Sequence, residues 1–270
     1  MPQQPSTKIR QPILVTVKSV RDISPHLRRI CFTGPALASY PFQCNGAHIK
    51  IMLPQPHQLE PILPTMTSKG PRWESDKDKP ILRTFSIRAF REAEQEIEID
   101  FALHGDLGPA TRFATHVKIG DVLGISPPGG PEPMLKPARY YYMAGDLTAL
   151  PAISAMIADM PSTSQGYIAL LVPSKTDIDD LAVPTGVTVR WFVGQPAQSD
   201  RLIQSFIEQT LQSEDSYFWF GGEETIVVGL RRHVRRHLDI ERTQVYAIPY
   251  WRNGQSEDAY HQRRHDVLEN

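Results

Sequence analysis

Apolar and polar residues alternate along the first half of the chain in short runs, as a half-exposed strand requires, because side chains two apart share one face of a pleated ribbon. Ile13 to Val20, Leu27 to Thr33 and Ala47 to Leu53 carry this period, and Gln95 to Leu103 repeats it with Ile97, Ile99 and Phe101 set against Glu98, Asp100 and Ala102. Arg83 to Arg88 and Gly120 to Ile125 add two more strands. Six or so such strands with few helices predict a small closed antiparallel barrel. Pro54 to Pro80 is rich in proline, serine and charge, shows neither period, and reads as a long excursion between two strands.

The texture changes after Ser126-Pro127-Pro128-Gly129-Gly130-Pro131 and Lys136-Pro137, which divides the chain into domains 1–136 and 137–270. Tyr140 to Ala144, Gly166 to Val172, Val187 to Phe192, Tyr217 to Phe220 and Gln244 to Tyr250 are short apolar runs of the buried-strand kind. Ala149 to Met160, Asp200 to Gln212 and a segment reaching Leu238 have helical spacing. Gly145-Asp146-Leu147-Thr148 reads as a turn, and Gly221-Gly222-Glu223-Glu224 as a glycine turn opening the last helix. Strand, glycine turn and helix, repeated, predict a doubly wound parallel sheet with ligands at the carboxyl ends of its strands.

The 270 residues suffice for two domains with their own cores, and a net charge of −1 gives no global reason to expect nucleic acid or an acidic membrane as partner. Met1 to Pro12 lacks the apolar core of a signal peptide and no run of about 18 apolar residues occurs, so a cytoplasmic protein without membrane insertion is expected. A monomer is expected as well. Cys31 and Cys44 cannot build a four-thiolate iron–sulfur site, and the dispersed histidines suggest no metal ligand set. The basic run Arg231-Arg232-His233-Val234-Arg235-Arg236-His237 fits a solvated helix with Val234 and Leu238 inward. Redox chemistry here needs an organic cofactor.

Arg83-Thr84-Phe85-Ser86-Ile87-Arg88 combines an anion-binding head, an aromatic plate and two hydroxyls within six residues. In a strand, Arg83, Phe85 and Ile87 point one way and Thr84, Ser86 and Arg88 the other. Arg83 can fork onto a phosphate, Phe85 can cover an aromatic ring, and the hydroxyls can bond the ring edge, which suggests a flavin. His104-Gly105-Asp106-Leu107-Gly108-Pro109-Ala110-Thr111 is a glycine-rich turn leading into a helix, a natural seat for a pyrophosphate. Taken alone, the two segments also fit a surface strand and an ordinary turn.

Taken together and in order, Arg83-Thr84-Phe85-Ser86, His104-Gly105 with Gly108-Pro109-Ala110, Ala144-Gly145-Asp146 with Thr148-Ala149-Leu150-Pro151-Ala152-Ile153, Trp219 with Gly222-Glu223, and Tyr250-Trp251-Arg252 with Gly254 resemble the siderophore-interacting proteins. These are flavin-dependent ferric-siderophore reductases of the ferredoxin-reductase-like superfamily. The resemblance implies an FAD-binding barrel followed by an NAD(P)H-binding α/β domain. It implies that Arg83, Thr84, Phe85, Ser86, Asp100, His104, Gly105, Gly108, Ala110 and Thr111 hold FAD. It implies that Gly145, Asp146, Thr148, Ala149, Gly222, Glu223 and Trp251 shape the nucleotide side of the cofactor site. Lys50 and Arg252 match basic positions used near an anionic ferric siderophore, the implied substrate, with no metal ligand from the protein.

Three departures from the family pattern stand out. Pro249 replaces a glycine, Phe85 replaces a commoner tyrosine, and Pro173-Ser174-Lys175 lies where many members carry an acidic ribose-binding residue. A hydroxyl and a cation suit a 2′-phosphate, which favours NADPH while leaving NADH possible. Two other readings stay open from sequence: a flavin reductase of the same architecture, and a non-catalytic iron-chelate carrier.

Overall fold

The computed structural model describes residues 11–103, 108–255 and 260. They divide into two compact units, one of residues 11–22, 28–103 and 108–134 and one of residues 23–27, 135–255 and 260. His104 and Gly105 lie outside the described residues.

The first unit contains β1 (Ile13–Ser24) and β2 (Leu27–Thr33), apart from their joining tip Ile23–Leu27, then β3 (His48–Leu53), β4 (Thr65–Thr67), β5 (Gly70–Arg72), β6 (Ile81–Arg91), β7 (Glu96–Ala102), α1 (Pro109–His116) and β8 (Val122–Ile125). Six of these strands close a barrel in the order β1-β2-β7-β6-β3-β8. Alternation decides which side chains fill it: Val15, Val17, Ile30, Phe32, Ile49, Ile51, Ile97, Ile99, Phe101, Leu123 and Ile125 form its core. The excursion from Pro54 to Pro80 is not structureless, since β4 and β5 pair as a small hairpin with Thr67 facing Gly70. Strands of three residues are too short to show a period, so the pattern could not reveal them.

The second unit contains β9 (Tyr140–Asp146), α2 (Leu150–Ile157), β10 (Gln165–Val172), β11 (Gly186–Val193), α3 (Asp200–Ile207), β12 (Ser216–Glu223), α4 (Glu224–Arg236) and β13 (Val245–Trp251). Its sheet runs β11-β10-β9-β12-β13 and its pairs are parallel. Tyr142, Ala144, Phe218 and Phe220 pack on Leu202, Phe206, Ile226, Val227, Leu230 and Val234 from α3 and α4. Tyr141, Met143 and Trp219, of opposite parity, are buried on the other face.

Both glycine turns begin later than the sequence suggests. β9 continues through Gly145 and Asp146, and β12 through Gly222 and Glu223. The strand order reverses between β9 and β12, so these four residues lie at the topological switch point. Pro249 faces Gly222 in the β13 ladder, and the register slips between Gly222 and Glu223. A proline has no N–H for the ladder and is tolerated on an edge strand such as β13.

Candidate active site

In the barrel unit, β6 lies antiparallel to β3 with His48 opposite Ser86, Ile49 opposite Phe85, Lys50 opposite Thr84 and Ile51 opposite Arg83. This register brings together two residues that sequence alone assigned to different tasks: Lys50 Nζ donates to Thr84 Oγ1 across 3.4 Å. Ser126, just past β8, fixes the backbone of Lys50, its Oγ accepting the Lys50 amide at 2.9 Å and its own amide donating to the Lys50 carbonyl at 2.9 Å. Arg83 Nη1 donates to the Leu82 carbonyl at 2.8 Å. Thr84 is exposed, whereas Ser86 is buried.

Phe85 is partly buried against the barrel core. It shares the parity of the core residue Ile87, and its ring lies 4.5 Å from Phe101, which in turn lies 6.0 Å from Phe113 of α1. This row of rings ties β6 to the helix that follows the glycine-rich turn. α1 begins with Pro109, where a missing N–H costs nothing, and its N-cap Gly108 offers no side-chain acceptor. Ala110 and Thr111 occupy the first turn of this helix. Among the described residues, nothing lies within 4 Å of where a Cβ on Gly108 would project. Thr111 is buried at 3 % exposure, so its hydroxyl does not stand in solvent.

Asp100 is buried and paired across strands. Arg29 grips it through Nε at 2.6 Å and Nη2 at 2.8 Å, and Arg88 lies 4.0 Å away. Both oxygens belong to a cross-strand ion network on the outer barrel face, in which Arg91 also pairs with Glu96 and Glu98, and Lys18 with Glu96.

In the second unit, Asp146 is the centre of the switch point. Its Oδ1 accepts the Thr148 amide at 2.8 Å and the Thr148 hydroxyl at 2.5 Å, while its Oδ2 accepts the Glu223 amide at 2.8 Å and the Trp251 indole N–H at 2.8 Å. Burial pushes its carboxyl up from the ordinary aspartate value, and these donors pull the other way. A Cβ at Gly222 would fall 2.7 Å from Asp146 Oδ1, and one at Gly145 would fall 2.5 Å from both Ala149 Cβ and the Gly221 carbonyl. The glycines are thus demanded by the packing of the strand ends. Glu223 caps α4 by accepting the Thr225 amide at 2.6 Å, and its other oxygen accepts the Asn253 amide at 3.3 Å. Gly145, Asp146, Thr148, Ala149, Gly222, Glu223 and Trp251 therefore form one hydrogen-bonded and packed cluster. Arg252, next in sequence, lies 3.3 Å from Glu224.

The turn after β10 holds a residue that sequence reasoning overlooked. Asp177 is 2 % exposed and closes a capping box with Ser174, leaving Lys175 exposed. The Ser-x-x-Asp spacing from Ser174 to Asp177 was the available signal. Among the described residues no cluster of three His, Cys, Asp or Glu side chains could hold a metal, and no helix is long and apolar enough to cross a membrane.

Comparison with known proteins gives consistent matches. The family model of the siderophore-interacting FAD-binding domain matches residues 16–132, and that of the siderophore-interacting protein matches residues 138–254. Ferric vibriobactin reductase ViuB of Vibrio cholerae is 37 % identical over 250 residues, covering 92 % of each chain. The crystal structure of the siderophore-interacting protein SipS from Aeromonas hydrophila superposes with a TM-score of 0.88 at 57 % identity, covering 97 % of this chain and 99 % of that one. Ferredoxin-NADP+ reductase from Plasmodium falciparum shares the fold alone, with a TM-score of 0.60 at 10 % identity over 88 % of this chain and 96 % of that one.

Proposed function

This chain belongs to the siderophore-interacting protein family, and from that premise we propose that it is an FAD-dependent ferric-siderophore reductase with NADPH as its preferred reductant. FAD, when bound, supplies the exchange between two-electron hydride delivery and the single electrons that ferric iron accepts. The donor set suits it. The start of α1 behind Gly108, with Arg83, would hold the pyrophosphate, and Thr84 and Ser86 would bond the ring edge. Phe85 would serve mainly by holding β6 against Phe101 and α1.

The switch-point cluster around Asp146 would shape the seat of the nicotinamide nucleotide, with Lys175 facing its 2′-phosphate beyond β10. Lys50 and Arg252 would each supply positive charge that attracts the substrate, an anionic ferric chelate. Reduction favours release because hard oxygen ligands hold ferric iron far better than ferrous, so the protein needs no metal ligands of its own. Orientation and charge are its contribution.

The observation that carries this reading is the pairing of Lys50 with Thr84, which sets a substrate-type cation beside the flavin-type strand. A purified protein that shows flavin bands near roughly 370 and 450 nm, and that reduces a ferric chelate with NADPH in the presence of a ferrous trap, supports it. Turnover of free flavin with no chelate reduction would assign the chain to flavin reductases instead. A colourless protein that takes up no FAD would make it a carrier.

A further inference from the structure

In a doubly wound sheet, an acidic side chain after the second strand takes the ribose 2′-hydroxyl of NADH and repels the 2′-phosphate of NADPH. Here β10 is that strand, and an acid does follow it, but its carboxylate faces inward. Asp177 Oδ1 accepts the Ser24 hydroxyl at 2.6 Å and the His26 amide at 3.1 Å, while Oδ2 meets His26 Nδ1 at 2.7 Å and accepts the Ser174 amide at 3.0 Å. The side chain of Asp177 has no exposed surface. Burial pushes its pKa up, but Ser24 and His26 outweigh burial and hold it below the ordinary aspartate value, so the group sequestered is a charge.

The residues that sequester it are encoded far away, at the tip of the β1–β2 hairpin, yet Ile23–Leu27 belongs by contact to the second unit. What the turn shows to solvent is different: Lys175 and Thr176 are exposed, and Ser174 Oγ accepts the Thr176 amide at 3.3 Å. Asp179 and Asp180, further along, are also exposed, and Asp179 Oδ1 accepts the Asp180 amide at 2.9 Å. Asp177 is the acid closest to Lys175 in the sequence, and with its carboxylate held inward the turn presents the Lys175 charge.

We propose that Ser24 and His26 are specificity-determining positioning residues: by holding Asp177 inward they leave the Ser174–Lys175 turn open to a 2′-phosphate and establish the preference for NADPH. This rests on the reading that the turn after β10 receives the adenosine ribose of the nucleotide.

The test is calorimetric titration of the FAD-loaded full chain with 2′,5′-ADP and with 5′-AMP, accompanied by KM values for NADPH and NADH. The unsubstituted protein is expected to bind 2′,5′-ADP roughly tenfold more tightly than 5′-AMP, and K175A to remove most of that difference. S24A/H26A is expected to weaken 2′,5′-ADP roughly fivefold with 5′-AMP little changed, and to raise KM for NADPH but not for NADH. S24A/H26A/D177N, which has no charge left to release, is expected to regain the lost affinity. Unaltered 2′,5′-ADP binding in S24A/H26A, or a triple variant as weak as the double one, overturns the proposal while the K175A result leaves the nucleotide reading standing. If K175A has no effect, the nucleotide reading itself fails and takes the proposal with it. Should the double variant not fold, S24A alone decides by the same measurements.

Discussion

The indole Nε1 of Trp251 donates to Asp146 Oδ2 across 2.8 Å, although 105 residues separate the two in sequence. Together with the Glu223 amide on the same oxygen, this contact joins the carboxyl ends of β9, β12 and β13. Each Asp146 oxygen thus receives two donors, and the carboxylate is the one group of its size that offers acceptors on both sides.

An amide at this position must set its NH2 against two donors whichever way it is turned. D146N is therefore expected to lower stability by about 2–4 kcal/mol. W251F removes a single donor and should lower it by about 1.5–3 kcal/mol. Denaturant unfolding followed by circular dichroism measures both, and a D146N protein as stable as the parent would refute the clamp.

Gly222 adopts φ +104°, and a Cβ there would press on Asp146. G222A should cost at least about 2 kcal/mol, from a left-handed backbone and a displaced carboxylate together. If these strand ends seat the nucleotide as proposed, G222A should also raise KM for NADPH by moving them apart. Thermal unfolding and steady-state kinetics on the same preparation check the two effects.

Glu96 is held at about 2 by the Lys18 and Arg91 hydrogen bonds, well below its ordinary 4.5. The unfolded chain therefore binds more protons than the folded one between those values, and stability rises with pH across that window. The contribution is complete above about pH 4.5 and is lost as pH falls toward 2. E96Q should flatten this acid limb. Unfolding free energies measured from pH 2 to 6 for the two proteins test it, and added salt should shrink their difference.

Removing the charge of Lys50 should raise KM for an anionic ferric chelate roughly three- to tenfold. R252A should have a smaller effect, because Glu224 already offsets part of the Arg252 charge. Initial rates at low and high ionic strength provide the check: the penalty for K50A should narrow as salt is added. An equal penalty at both would point to a steric role.

The sequence by itself determined the class of the two units. A period of two written in Ile13 to Val20, Leu27 to Thr33 and Ile97 to Phe101 admits few structures other than a half-buried strand, and Leu27–Thr33 is a strand over those same residues. Glycine and proline punctuation located the switch-point motifs, and the ordered set of motifs carried the family resemblance. Local pattern could not say where β9 and β12 stop, because Gly145 and Gly222 are compatible with turn and strand alike, and only the neighbouring strand and Asp146 select the strand. Nor could it say which charges were already matched. Asp100 reads as an available carboxylate until Arg29 is folded against it, and Asp177 reads as one more loop acid until Ser24 and His26 close over it. Periodicity reports the face a residue occupies, which is a property of neighbours in the chain. Hydrogen-bond and charge partners come from segments 71 residues apart for Arg29 and Asp100 and 105 apart for Asp146 and Trp251, and tertiary structure alone decides them.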